Sequence, residues 1–290
     1  MKGKIKSLII KCSKGPLGKV FSIVFQYVVL TQYFFLNMKW RFSGMKKPEQ
    51  NEVEKVCDQV TFIYKSFERQ KMAKRLYKNI QSYYPGVRVI IADDSRKPLE
   101  LKGENLTVIQ LPFNSGLSYG LNRALELVET PFVVRMDDDQ LLTPYTKFGK
   151  QLEFLEQHSE VDLAAVVQVS APKCHSSQEL VKEFYGQSMS HAVKTLKIPH
   201  MTWVDESHVV VGKAPNVFVA RTEKVKEVGY DDNIRMIDHN EFFYRAAGNL
   251  VSVVDPNAFV FHYHNRFDTY YQKYRMDVLG DRMYIRNKHR

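Results

Sequence analysis

The stretch "VVRMDDDQ", Val133 to Gln140, sets an apolar run directly against three adjacent carboxylates. With Phe132 before it, the run has the continuous apolar character of a buried strand. Adjacent like charges repel, and burial raises their pKa further. Two surroundings relieve that repulsion: a solvated turn, or a bound cation. On an extended backbone Asp137 and Asp139 point to one side and Asp138 to the other. Two carboxylates aimed into one cleft make a hard-oxygen site for Mg2+ or Mn2+, which can bridge to a diphosphate. Asp137 and Asp139 are therefore candidate metal ligands.

The sequence upstream repeats the arrangement. "VRVIIADDS", Val87 to Ser95, is a strand running into Asp93 and Asp94, and "VTFIYKSF", Val60 to Phe67, is a β-rich run before it. Between them Met72, Leu76, Ile80 and Tyr83 fall at helical spacing, and Pro85-Gly86 ends the helix. Leu117, Leu121, Ala124, Leu125 and Val128 make a second helical face, closed by Thr130-Pro131. Thr143-Pro144 reads as an N-cap and first turn, with Tyr145, Phe148, Leu152 and Leu155 on the face of the helix that follows. "VDLAAVVQV", Val161 to Val169, is another strand. Beyond about residue 200, short strands ("HVVVG", "NVFVA", "LVSVV", "AFVFH") alternate with short helices. This alternation predicts an α/β fold with a mostly parallel central sheet and helices on both faces. Such sheets bind ligands beyond the carboxyl ends of their strands, where all five aspartates fall.

The 290 residues, 44% of them hydrophobic, suit one large domain or two small ones. There are 42 Lys and Arg against 32 Asp and Glu, a net charge of +10. Ten of those cations lie in residues 1–48, which contain no Asp or Glu, so the rest of the chain is neutral. A nucleic-acid-binding fold carries its charge on the domain itself, so no nucleic-acid partner is expected. The same extension holds "VFSIVFQYVVLTQYFFL", Val20 to Leu36, uncharged but interrupted by Gln26 and Gln32. It has no small-residue cleavage site. Three readings stand for residues 1–40: a short spanning anchor with a cytoplasmic lysine-rich end, an interfacial helix on anionic lipid, or a buried helix packed on the domain. Cys12, Cys57 and Cys174 are too few and too far apart for a disulfide framework, which favours a reducing compartment. The expected organisation is a membrane-associating segment over 1–48, a polar linker over 49–57, a domain over 58–268, and an aromatic, basic tail over 269–290. That tail either closes over the site or touches the membrane.

There is no GxGxxG and no GxxxxGK[ST], so neither a dinucleotide fingerprint nor a P-loop is supported. "VTFIYKSF", "VIIADDS", "NSGLSYGLNRAL" and "PFVVRMDDD" resemble the nucleotide-sugar half of family 2-type glycosyltransferases of the GT-A fold. "NVFVARTEKVKEVG", Asn216 to Gly229, and "HNEFF", His239 to Phe243, extend the likeness to the ganglioside-type β-1,4-N-acetylgalactosaminyltransferases. The resemblance runs over roughly residues 58 to 265. It implies a UDP-sugar donor and a divalent metal, Mn2+ or Mg2+. Asp93 and Asp94 would sit by the base and ribose, and Asp137 and Asp139 by the metal and diphosphate. Asp138 would face elsewhere or toward the sugar. The family usually reads Gly-Arg-Asn after the glycine loop. This chain reads Gly120-Leu121-Asn122-Arg123, so Asn122 and Arg123 are the corresponding nucleotide contacts with the arginine displaced by one.

An inverting transfer needs a general base for the acceptor hydroxyl. Glu241 is the first candidate and Asp238 the second, although Asp238 and Glu241 three residues apart also read as a helix capping box. "FVFHYHNR" sets His262 and His264 two apart at a strand end, so both face one side as candidate metal ligands. Arg266 is a candidate phosphate contact. The expected function is metal-dependent, inverting transfer from a UDP-sugar to a hydroxyl of a glycan or lipid-linked acceptor, in cell-surface polysaccharide assembly at the cytoplasmic membrane face. A eukaryotic source would instead suggest a Golgi type II protein. The competing readings are a nucleotidyltransferase, for which "YKSFERQ" is a poor triphosphate loop, and a non-catalytic sugar-binding protein on the same fold.

Overall fold

A computed structural model of the chain describes residues 18–44, 46–171, 195–263, 265, 267–275 and 278–289. Cys12, Cys174, His264 and Arg266 lie outside the described residues. In chain order the elements begin with α1 (Gly18–Phe42), α2 (Gln50–Gln59), β1 (Val60–Ser66), α3 (Gln70–Tyr83), β2 (Arg88–Asp93) and β3 (Leu106–Gln110). Then come α4 (Leu117–Glu126), β4 (Phe132–Asp137), β5 (Gln140–Leu141), α5 (Phe148–Gln157) and β6 (Leu163–Ser170). The last are β7 (Val209–Val210), β8 (Phe218–Arg221), α6 (Thr222–Val228), α7 (Asp238–Ala246), β9 (Ser252–His262), α8 (Thr269–Arg275) and α9 (Val278–Lys288).

Among the described residues the strands join in one sheet of order β3-β2-β1-β4-β8-β6-β9-β5, with β7 also pairing with β9. Strands β1 to β4 run parallel. Strand β8 is antiparallel to both β4 and β6, so β6 and the parallel β9 recover the direction of β4. The carboxyl ends of β1, β4, β6 and β9 therefore share one edge. Side chains alternate across this sheet. Phe62, Tyr64, Val89, Ile91 and Val134 pack into one core layer with α2, α3 and α5. Ile63, Ile90, Ala92 and Val133 pack into the other with α4, α6 and α7. Both faces are covered, which is why these strands read as continuous apolar runs.

The structure departs from the sequence expectations at four places. Part of the expected linker is helix α2, whose Val53 and Val56 are buried at i, i+3 while its polar residues face outward. Strand β3, "LTVIQ", was not expected; it is a half-exposed sheet edge, and Thr107 and Gln110 dilute its apolar signal. Helix α5 starts at Phe148, because Thr143 and Thr146 close a buried turn instead of a cap, with Thr143 N–H donating to Thr146 Oγ1 at 2.8 Å. "LVSVV" and "AFVFH" are one strand, β9, broken by a register shift opposite Val166 and Val167. Pro256 lies in that bulge, where a missing N–H is tolerated.

Helix α1 lays one side along the β5 and β9 edge of the domain. Val29 is fully buried there with Met72, Leu141, Phe261 and Tyr263. Tyr33 OH donates to Leu142 O at 2.6 Å, and Asn265 Nδ2 donates to Ser22 Oγ at 2.8 Å.

Candidate active site

A cavity of ≈ 400 Å³ opens at the shared strand edge. Lys65 from the end of β1, Asp137 from the end of β4, and Gln168 and His262 from β6 and β9 line it. Arg235 and Met236 reach it from the loop before α7, and Tyr271, Gln272, Tyr274 and Arg275 from α8. The expected C-terminal tail thus forms a wall of the site through α8.

The acidic run does not keep strand geometry. Strand β4 stops at Asp137, and its N–H donates to the Gln140 side chain at 2.9 Å, closing a turn over Asp138 and Asp139. All three aspartates consequently line one cavity, and Asp138 is not turned away from its neighbours. Arg135, itself fully buried, reaches Asp137 Oδ1 at 3.0 Å and Asp238 Oδ2 at 3.6 Å. Arg69 bridges the other two, pairing closely with Asp138 and, at 3.1 Å, with Asp139 Oδ2. Its guanidinium also lies 3.9 Å from the centre of the Tyr271 ring. Burial pushes the Asp138 pKa up, against the pull of Arg69. Its Oδ2 is buried and has no hydrogen-bond partner among the described residues.

The two-residue strand β5 brings the late histidine to this turn. Gln140 pairs with His262, and Tyr263 N–H donates to Asp139 O at 3.0 Å. His262 Nε2 then stands 3.5 Å from Asp139 Oδ1. Burial lowers the His262 pKa, but Asp139 outweighs it and the net shift is upward. The Nδ1 side lies 3.1 Å from Ser170 Oγ, which orients the ring. Ligands about 2.1 Å from one divalent cation stand roughly 3 Å apart. The Asp139 oxygen and the His262 nitrogen, 3.5 Å apart, are thus the two donors close enough to share a hard or borderline ion. Among the described residues no group of three or more His, Cys, Asp or Glu is arranged to hold a metal ion by itself.

The other expected contacts move outward. Asp93 is fully buried and holds the following loop, accepting from Ser95 Oγ at 2.6 Å and Leu99 N–H at 2.8 Å. Asp94, also fully buried, supports the cavity wall from behind. It accepts from Lys65 Nζ at 2.5 Å and from Gly116 N–H at 3.1 Å. Gly116 has φ +111°, and a Cβ there would stand 3.2 Å from Arg235 Cα, so both conformation and space require glycine. Asn122 and Arg123 do not line the cavity. Five and six residues past the cavity-lining Leu117, they are rotated from it by about 140° and, the other way round, about 120° on α4. Asn122 staples Tyr230, receiving its N–H at 2.8 Å and donating to its O at 2.7 Å, while Arg123 pairs with Glu126 at 2.6 Å.

Neither base candidate lines the cavity. Asp238 is buried beside Arg135, two residues from the cavity-lining Met236. Burial pushes its pKa up to about 6, with Arg135 pulling the other way. Glu241 does not line the cavity and does not close a capping box. Its carboxylate accepts from Arg245 Nε and Nη2 at 2.7 and 2.8 Å, from Lys288 Nζ at 2.7 Å, and lies 3.2 Å from His289 Nε2. Burial would raise the Glu241 pKa, but Arg245 and Lys288 hold it below the ordinary value.

The sequence reading missed Lys65, Arg69 and Arg235. Lys65 carried a signal, since it ends β1 as the aspartates end β2 and β4. Arg69 and Arg235 sit in loops, and no local pattern marks them. Asp281 on α9 was also missed. Its carboxylate accepts the N–H groups of Arg235, Met236 and Ile237 at 3.2, 2.7 and 3.2 Å, fixing the loop that supplies Arg235 to the cavity.

With this geometry in place, comparison with known proteins is informative. A Mus musculus β-1,4 N-acetylgalactosaminyltransferase 2 is 28% identical over 270 residues, 84% of this chain and 51% of that protein. A Homo sapiens β-1,4 N-acetylgalactosaminyltransferase 1 is 33% identical over 194 residues, 66% of this chain and 36% of that protein. The chain thus spans about half or less of the length of these relatives. The crystal structure of S. aureus TarS 1-349 in complex with UDP-GlcNAc superposes with a TM-score of 0.53 over 71% of this chain and 58% of that one, at 16% identity, a likeness of fold. Residues 61–209, just over half of the chain, match the sequence model of glycosyl transferase family 2. The chain carries this domain on a GT-A-like sheet, and it belongs to glycosyl transferase family 2.

Proposed function

We propose that this chain transfers a sugar from a UDP-sugar to a hydroxyl of a glycan or lipid-linked acceptor, with inversion and with the help of Mn2+ or Mg2+. The observation that carries the reading is the meeting of Asp139 and His262, 123 residues apart in sequence, at 3.5 Å in a cavity edged by Lys65 and Arg235. Asp139 and His262 would hold the metal, with Asp137 and Asp138 contributing negative charge beside it. Two protein donors suit an ion whose remaining positions go to substrate phosphate and water. When bound, the metal would stabilise the departing diphosphate as a Lewis acid. Lys65, anchored by Asp94, and Arg235 add positive charge along the same wall. Ser170 keeps the His262 ring oriented. Asp238 takes the acceptor hydroxyl proton, a role suited to a buried carboxylate of raised pKa. Glu241 is the weaker candidate, because Arg245 and Lys288 already engage it.

The names of the similar proteins favour N-acetylgalactosamine as the donor sugar. The lysine-rich, apolar N-terminal segment supports work at a membrane surface, and we place it on the cytoplasmic face in cell-surface glycan assembly. The test is release of UDP from a panel of UDP-sugars with Mn2+ or Mg2+. Turnover with one donor, and loss of metal-dependent UDP binding in Asp139→Ala, are expected. Absence of both turnover and metal-dependent UDP binding with every donor would overturn the reading.

A further inference from the structure

Helix α1 is long and apolar enough over Gly18–Trp40 to cross a membrane, and little of it is buried. Its polar and apolar residues are nevertheless sorted by side. Val20, Ile23, Val24, Tyr27, Val28, Phe34 and Phe35 point away from the domain and are 53–70% exposed. They form one stripe, roughly 24 Å long at 1.5 Å per residue. Thr31 is the one polar residue within it, and Lys19 and Lys39 bracket it. The opposite side carries Ser22, Gln26, Gln32, Tyr33 and Asn37, all partly buried toward the domain. The two glutamines that interrupt the hydrophobic run are therefore on the docked side.

A lone spanning helix is surrounded by lipid over its whole circumference, and α1 is the one candidate among the described residues. This one is bound along its length to protein that cannot follow it into hydrocarbon. Tyr33 OH donates to Leu142 O and receives Asn79 Nδ2 at 3.0 Å, and Ser22 Oγ receives Asn265 Nδ2. Phe25 and Phe21 pack on Phe267, and Trp40 on Tyr145 and Phe259. Pulling α1 through a bilayer would bring these loop backbones and amides into a medium that cannot hydrogen-bond them, or tear the helix off.

We propose that α1 lies in the plane of one membrane leaflet, with its Val20 to Phe35 stripe in the acyl boundary and its other side fixed to the enzyme. The partner is an anionic lipid surface. The charge is complementary: residues 2–19 carry Lys2, Lys4, Lys6, Lys11, Lys14 and Lys19 and no acid. The inference rests on the membrane association proposed above and settles its geometry. Phe261, Asn265 and Phe267, which contact α1, flank the cavity-lining His262 in sequence, so the docked helix lies close to the site.

Two measurements on the full chain test this. Flotation with phosphatidylcholine vesicles, with and without phosphatidylserine, should show binding that needs the anionic lipid and falls with salt. Val28→Asp with Phe35→Asp should lower the partition coefficient about tenfold or more, while metal-dependent UDP binding stays unchanged. In sealed membranes from expressing cells, epitopes at the two ends of the chain should be digested by protease from the same side. Epitopes on opposite sides would mean a spanning helix and overturn the proposal. Loss of flotation with wild-type protein would also overturn it, whether the stripe is then found in a dimer sensitive to Val28→Asp and Phe35→Asp or in a monomer. UDP binding, followed separately, distinguishes these failures from failure of the transferase reading.

Discussion

Replacing Asp238 by Asn should nearly abolish sugar transfer and leave the fold as stable or more stable. Asp238 is buried, and its pKa is pushed up from 3.8 to about 6. A carboxylate with a raised folded-state pKa binds its proton more tightly when folded. Its contribution to stability is present at pH below about 3.8 and is lost as pH rises through about 6. At pH 8 the ionised group therefore costs the fold, and the rise corresponds to about 3 kcal/mol. Asn cannot ionise, so that cost is removed. Arg135 loses one of its two carboxylates and keeps Asp137, which makes 3 kcal/mol an upper bound. Loss of a general base costs about 10²–10⁴ in rate, or about 2.7–5.4 kcal/mol in the barrier. The assay is UDP release with acceptor and metal, beside thermal melts at pH 5 and pH 8. Wild-type kcat/KM should fall below about pH 6, and the residual activity of Asp238→Asn should lack that limb. UDP binding should be intact. Transfer within threefold of wild type would refute the assignment of the base. A clearly lower melting temperature at pH 8 would refute the electrostatic argument, because Arg135 would then outweigh burial.

Three further outcomes are expected. Glu241→Gln should lower stability by about 1–3 kcal/mol, since it removes the charged partner of Arg245 and leaves Lys288 only Asp231, while transfer per folded molecule persists; a lost rate at full stability would return Glu241 to the chemistry. Asp281→Ala should raise the KM for the donor more than it lowers kcat, by freeing the N–H groups that fix Arg235 and Met236. Isothermal titration with UDP and Mn2+ reads that change directly. Gly116→Ala should cost about 1–3 kcal/mol through its φ of +111°, visible in urea unfolding, and an unchanged midpoint would show that the glycine loop relaxes freely.

Most of the sheet, and the edge at which its carboxylates gather, were legible in the sequence. Apolar runs ending in Asp93, Asp94 and Asp137 marked strands buried on both faces, because a sheet covered by helices leaves no polar alternation. Those runs also placed the carboxylates at strand ends, since the apolar patterns on either side changed period there. His262 was legible for the same reason. What the sequence left open depends on long-range pairing. Asp138 turned out to share the cavity, because Gln140 leaves β4 to pair with β9 and forces a turn where strand alternation was assumed. Asn122, Arg123 and Glu241 were placed by local motif, and helix rotation and the arrival of α9 took them elsewhere. Arg69, Arg235 and Asp281 carry no periodic signal, since a loop cation or a capping carboxylate is defined only by what folds against it. Helix α1 shows the division most plainly. Its length and apolar content are sequence properties, but which side faces protein and which stays exposed is fixed only when the β5 and β9 edge covers one of them.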